Sequence, residues 1–263
     1  MAELRHLAMC TKNNRRLARF YRLIFGLEEV WNEKQNSATA FYIGDGRFNV
    51  NCLQVHSGSG RAKIVDGREI LPDVEINHIG FKVKSILEIE KKLADLNPPI
   101  KLVPSRRDGR YEDQRFVDLD GNDLELAEGD WDPGESKGFP MIKHVGIETK
   151  DPSRLADFYK SILSLKEVDR HGTSAIYLSD ETVNLALVKD SPVPKQGIQL
   201  FGFQVQSIEE IEERLKKSPR AYTYPGESPV EIKRRPLEGP YKATWLQDPD
   251  GNCVDISEEG WPV

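Results

Sequence analysis

The sequence predicts an α+β fold assembled from four βαβββ units in tandem. Two observations carry that expectation: the second half of the chain repeats the first, and each half contains a weaker repeat of strand, single helix and short strands. The long repeat is read directly from the residues. Leu4-Arg5-His6-Leu7 aligns with Ile142-Lys143-His144-Val145, and RLARFYRLIFGLEEV at 16–30 aligns with RLADFYKSILSLKEV at 154–168. FYIGDGRFNV at 41–50 matches IYLSDETVNL at 176–185, INHIGFKV at 76–83 matches IQLFGFQV at 198–205, and SILEIEKKL at 85–93 matches SIEEIEERL at 207–215. DLDGNDLEL at 118–126 then matches DPDGNCVDI at 248–256, and Trp131 falls on Trp261. A match this long and this ordered implies two homologous modules. Their expected boundaries are 1–131 and 141–263, joined by the Pro/Gly-containing stretch DPGESKGFP.

Each element has a local reason. LRHLAMCT alternates as a strand, and the next segment places Leu17, Phe20, Tyr21 and Ile24 at helical spacing before Gly26. INHIGFKV repeats the strand, and Ser85 with Glu88 forms a capping box ahead of Ile86, Ile89 and Leu93. About three short strand-like runs follow each helix, such as EEVWNEK, SATAFYIG and FNVNCLQV, separated by turn residues. Single helices between groups of strands place the helices on one face of antiparallel-rich sheets.

Composition narrows the function. The 263 residues are 38% hydrophobic, enough for two cores, and carry a formal net charge of −6 with Lys and Arg scattered. That balance argues against a nucleic-acid or anionic-membrane surface and for a small-molecule substrate. The opening MAELRHLAMC is charged where a secretory signal is apolar, and no apolar run is long enough to cross a bilayer, so a cytoplasmic location is expected. Cys10, Cys52 and Cys253 are far apart, which suggests neither a disulfide framework nor a zinc cluster. Two modules in one chain can complete a cleft unaided, so a monomer or a homodimer is expected.

Strand parity identifies the open face. Arg5, Leu7 and Met9 share one face of the first strand, and His6, Ala8 and Cys10 the other. His78, Gly80 and Lys82 oppose the apolar Ile79, Phe81 and Val83; Glu125 opposes Leu124 and Leu126; Asn49 and Asn51 share a face. Two imidazoles and a carboxylate on one open face form the donor set of a facial triad for a divalent metal such as Fe(II). Lys82 is a candidate for binding an anion or for acid/base work, and Tyr111, just before the DLDGN turn, for reaching the site. The polar segment 56–75 is a candidate lid or substrate-binding loop.

The strand-start histidines, the RFYRLIFGLEEV helix and the D-x-D-G-N-x-x-E run together resemble the vicinal oxygen chelate superfamily, which includes glyoxalases, extradiol dioxygenases, epimerases and drug-resistance proteins. The resemblance spans essentially the whole chain and implies paired βαβββ units forming an open barrel around one metal. It implies His6, His78 and Glu125 as ligands, with Asn51 at the fourth position used by glyoxalase-like members and Asn49 beside it. Those members usually place an acid there, so a three-residue site is favoured. Fe(II) or Mn(II) are the expected metals, with Zn(II), Ni(II) or Co(II) as alternatives, and Glu125, Tyr111 and Lys82 the catalytic candidates. The second module keeps His144 but has Leu200 and Asp255, which implies a degenerate site. Extradiol enzymes usually carry their metal in the second module; here the complete triad is in the first. The reading is thus a metal-dependent enzyme of dioxygenase, lyase or isomerase type, the alternative being a metal-free protein that sequesters a small molecule.

Overall fold

The computed structural model describes residues 1–30, 39–54, 63–65, 68–70, 74–104, 113–136, 138–191, 197–234 and 241–263. The first unit comprises β1 (Glu3–Thr11), α1 (Asn14–Phe25), β2 (Glu28–Glu29), β3 (Ala40–Gly44) and β4 (Asn49–Gln54). A hairpin, β5 (Lys63–Val65) and β6 (Arg68–Ile70), precedes the second unit: β7 (Glu75–Lys82), α2 (Ile86–Ala94), β8 (Val103–Pro104), β9 (Gln114–Val117) and β10 (Asp123–Ala127). The third unit is β11 (Met141–Glu148), α3 (Pro152–Leu163), β12 (Lys166–His171), β13 (Ala175–Ser179) and β14 (Asn184–Val188). The fourth is β15 (Gly197–Gln204), α4 (Ile208–Lys217), β16 (Thr244–Gln247) and β17 (Cys253–Ser257). Among the described residues, the strand expected after α4 is reduced to a Lys233–Trp245 bridge.

Helix caps follow the sequence. Asn13 and Asp151 accept from the backbone N–H of Arg16 and Arg154, and Ser85 and Ser207 accept from those of Glu88 and Glu210. Gly26, at φ 72°, ends α1 in the left-handed conformation that glycine adopts without a Cβ penalty. None of the helices among the described residues is long and apolar enough to cross a membrane.

Each module is one open sheet, ordered β2-β3-β4-β1-β7-β10-β9-β8 in the first and β12-β13-β14-β11-β15-β17-β16 in the second. In both, the opening strands of the paired units run antiparallel side by side at the centre, as β1–β7 and β11–β15. A register shift between Leu4 and His6 breaks strict alternation in β1. Leu4 therefore joins Leu7 and Met9 in the core, while Arg5, expected on that face, instead pairs with Asp130.

The apolar faces of both sheets and their helices form one continuous core. α1 packs beside α4 and α2 beside α3, and Phe25 stacks on Phe203 at 4.0 Å between ring centroids. The contacts across the modules are reciprocal. Tyr21 Oη donates to Asp248 at 2.6 Å, and Tyr159 Oη donates to Asp118 at 2.8 Å. Thr11 pairs with Asp250, and Thr149 with Asp120. The Leu4 N–H donates to Asp180 and the Ile142 N–H to Asp45, both at 2.7 Å. The D-x-D-G-N turns thus have a definite role: their aspartates fold the turn onto Asn122 or Asn252 and lock the opposite module's helix.

Candidate metal centre

The register of the first sheet fixes the site. One row across β4, β1, β7, β10 and β9 reads Asn49, His6, Gly80, Glu125, Arg115; the neighbouring row reads Asn51, Ala8, His78, Asp123, Val117. The two imidazoles lie in adjacent rows, and the small Ala8 and Gly80 between the larger side chains leave room above the sheet. His6 and Glu125 are fully buried and His78 is 2% exposed. The Nε2 atoms of His78 and His6 lie 3.4 and 3.8 Å from the same Glu125 Oε2. Among the described residues this is the one group of three potential ligands whose donor atoms all fall within 4.8 Å of one another.

Both imidazoles have a defined tautomer. Asn49 donates its Nδ2–H to the Asp132 carbonyl at 2.6 Å, which turns Oδ1 toward His6 Nδ1 at 2.9 Å. His6 therefore carries a hydrogen on Nδ1 and turns Nε2 toward Glu125. His78 Nδ1 lies 2.9 Å from Asn77 Oδ1, and its Nε2 faces Arg115 Nη2, which can only donate, at 3.2 Å. Its hydrogen is likewise on Nδ1. Burial, followed by the Arg115 charge, holds the His78 pKa below its ordinary value, so the ring is neutral near pH 7. Neutral imidazoles with Nδ1–H anchored and Nε2 directed at a carboxylate are the form a divalent ion requires. Donor atoms about 2.1 Å from such an ion sit roughly 3.0–3.4 Å apart, so the observed spacings fit one after small side-chain adjustments.

Trp131 stacks on His6 at 5.1 Å with 15° between the planes, over the space left by Gly80. Asn51 is on the same open face, in the His78 row, and its buried Oδ1 has no hydrogen-bond partner among the described residues. Lys82 is drawn elsewhere: its Nζ donates to Asp130 at 2.8 Å, alongside Arg5. Partial burial pushes the Asp130 carboxyl up, but the hydrogen bonds from Lys82 and Arg5 hold it below its ordinary range. Tyr111 and most of the 56–75 segment lie outside the described residues.

The residue that sequence reasoning passed over is Arg115. Its guanidinium touches His78 Nε2, Asp123 Oδ2 at 3.1 Å and Glu125 Oε1 at 3.4 Å. The signal was available: Phe116 is the core residue of the DQRFVD run, which turns Arg115 to the open face.

The second module keeps the frame without the cluster. His144 Nδ1 lies 3.0 Å from Asn184 Oδ1, Asn184 donates to the Pro262 carbonyl, and Trp261 stacks on His144 at 4.5 Å and 4°. Leu200 takes the place of His78 and packs over Gly146, where any Cβ would meet it at 2.9 Å. The Glu125 and Arg115 positions hold Asp255 and Trp245.

Residues 141–256 match the sequence profile of the Glyoxalase/Bleomycin resistance protein/Dioxygenase superfamily. A search of curated proteins gave no match. Solved structures of similar fold include the 2,3-dioxygenase LapB from Pseudomonas sp. KL28, 16% identical with a TM-score of 0.67 over 99% of this chain and 93% of that one. The Mn(II)-bound glyoxalase from Novosphingobium aromaticivorans is 16% identical, TM-score 0.70, over 98% and 83%. The 2,2',3-trihydroxybiphenyl 1,2-dioxygenase from Sphingomonas wittichii strain RW1 is 15% identical, TM-score 0.63, over 100% and 92%. The second module thus matches the glyoxalase/bleomycin resistance protein/dioxygenase superfamily, and the first module is built on the same strand order.

Proposed function

We propose that the first module is a metal-dependent enzyme site in which His6, His78 and Glu125 hold one divalent ion, Fe(II) or Mn(II) foremost, and that the substrate is a small molecule bound through two adjacent oxygens. The observation that carries this reading is the convergence of two imidazole Nε2 atoms on one buried carboxylate oxygen. A buried carboxylate facing two imidazoles is costly to build for stability alone, because apolar residues of similar volume would pack there without desolvating a charge. The ion supplies Lewis acidity toward the substrate oxygens and, if redox-active, a site for O2.

The chain's own residues do the rest. Asn49 and Asn77 fix the imidazole tautomers, Trp131 holds the His6 ring in place, and the sheet with its small residues leaves the open face for substrate. Ring-cleaving dioxygenase chemistry and glyoxalase- or epimerase-type lyase or isomerase chemistry both use such a site. The solved structures of similar fold include both dioxygenases and a Mn(II)-bound glyoxalase.

One observation favours a second reading, metal-free binding of a small molecule: Arg115 gives Glu125 and His78 a cationic neighbour of the chain's own. Elemental analysis of protein purified without chelators separates the two. About one equivalent of metal per chain, lost in His78→Ala and kept in His144→Ala, is the expected result. Metal retained by His78→Ala, or abolished by His144→Ala, overturns the metal assignment.

A further inference from the structure

We infer that Arg115 is the anion-recognition residue of this site, and that the substrate is an anion presenting two adjacent oxygens, such as a small carboxylate. The inference rests on the metal site proposed above. A neutral imidazole has one lone pair, and with the His78 Nδ1–H committed to Asn77, that lone pair is on Nε2. Arg115 Nη2 donates into it at 3.2 Å. A metal ligated by His78 needs the same lone pair, so Arg115 and the metal use Nε2 in turn.

Ligation therefore releases an N–H beside the ion, while the other arm of the guanidinium stays anchored by Nη1 to Asp123 at 3.1 Å. Nη2 also donates to Glu125 Oε1 at 3.4 Å, so the hydrogen that His78 gives up lies beside the ligand carboxylate, where a planar guanidinium fork suits an anionic oxygen bound to the ion. Charge balance points the same way: a divalent ion and Arg115 outweigh the Glu125 and Asp123 carboxylates by one positive charge, which an anionic substrate neutralises. The second module serves as an internal comparison, since Trp245 replaces Arg115 in the same sheet where Leu200 replaces His78.

The test uses the whole chain and the variant Arg115→Met, checked for folding by circular dichroism. Mn(II) binding is followed by the electron paramagnetic resonance signal of the free ion. Oxalate and its uncharged analogue oxamide are then titrated calorimetrically into the Mn(II)-loaded proteins. Removing a competitor for Nε2 and a neighbouring charge is expected to tighten Mn(II) by roughly threefold or more. Losing a charge-assisted donor is expected to weaken oxalate by about tenfold or more and leave oxamide within about twofold. Arg115→Gln, which removes the charge but keeps a polar head, is expected to shift both affinities the same way and carries the test if the methionine variant fails to fold.

A merely structural role for Arg115 would weaken metal and oxalate together, and that result overturns the inference, as does unchanged oxalate affinity. Absence of Mn(II) binding in the wild-type protein is a different failure: it removes the metal site itself, and the anion role falls with it.

Discussion

Gly80 is the position where a single added methyl group tests the architecture of the site. Its backbone is ordinary strand, outside the positive-φ glycines, so an alanine there meets no conformational penalty and the cost is steric. A Cβ would lie 2.8 Å from His6 Cβ and 3.0 Å from the Trp131 ring, against the 3.4–4 Å of ordinary contact. Either His6 shifts or Trp131 leaves its stack. Overpacking of a tight core costs about 1–3 kcal/mol, and a displaced ring pair adds about 0.5–1.5 kcal/mol. A stiffer unfolded chain returns about 0.4–1 kcal/mol, which leaves about 0.5–4 kcal/mol of destabilisation, or a fall in Tm of roughly 1–16 °C for a chain of this size. Gly202→Ala is the matched control, because its Cβ would meet Trp261 at 2.7 Å and His144 Cβ at 3.1 Å. Scanning calorimetry is expected to show similar losses for both variants, and Mn(II) titration is expected to show weakened metal binding for Gly80→Ala alone. If Gly80→Ala stays within about 0.5 kcal/mol of wild type, or if the two variants weaken metal binding equally, the packing account of the His6 pocket is wrong.

The remaining predictions probe the imidazole supports and the latch between the modules. Asn49→Ala removes the acceptor that holds the His6 tautomer, and is expected to lower metal affinity by about 10–100-fold, while Asn184→Ala leaves it unchanged; equilibrium dialysis distinguishes these. Burial pushes the Asp248 carboxyl from its ordinary 3.8 up to about 6. A raised carboxyl pKa makes the folded chain bind the extra proton, so this contribution to stability is full below about pH 4 and is lost as pH rises through about 6. Urea unfolding is accordingly expected to show wild type losing up to about 3 kcal/mol relative to Asp248→Asn between pH 4 and pH 7, and a gap that does not change with pH would refute it. Tyr159→Phe, which takes the hydroxyl donor from buried Asp118, is expected to cost about 1–3 kcal/mol by the same assay without changing metal content.

Much of this layout is legible in the sequence, because strand parity and repetition are local properties. The alternation in INHIGFKV and NDLEL is enough to turn His78 and Glu125 to one face, and the register of β1, β7 and β10 then brings them to His6. Parity alone could not anticipate the irregular step at Leu4, which sends Arg5 to Asp130 and leaves Lys82 paired at the rim. Nor could it separate Asn49 from Asn51. Both asparagines face the same way, but only Asn49 stands in the His6 row, and its role follows from a hydrogen bond to the Asp132 carbonyl in the segment between the modules. Arg115 was hidden for a related reason: its value comes from the cross-strand neighbour Glu125 and the diagonal neighbour His78, neither of which is near it in sequence.

The duplicated scaffold explains why the two sites could diverge so far. Each module's helix is held by the other's D-x-D-G-N aspartate, so the pairs Tyr21–Asp248 and Tyr159–Asp118 lie in the core, behind the sheets, while the metal candidates lie on the open face. Substitutions on the open face therefore leave the latch untouched. In the second module they extend to Leu200, Asp255 and Trp245, while the framework of His144, Asn184 and Trp261 remains. That residue set implies two separable duties for the strand-start histidine: packing against a tryptophan under an asparagine, which both modules retain, and offering Nε2 to a second imidazole and a carboxylate, which only the first does. A histidine at this position is consequently no mark of a metal site by itself; the two sheets differ in its neighbour on the adjoining strand, His78 in one and Leu200 in the other.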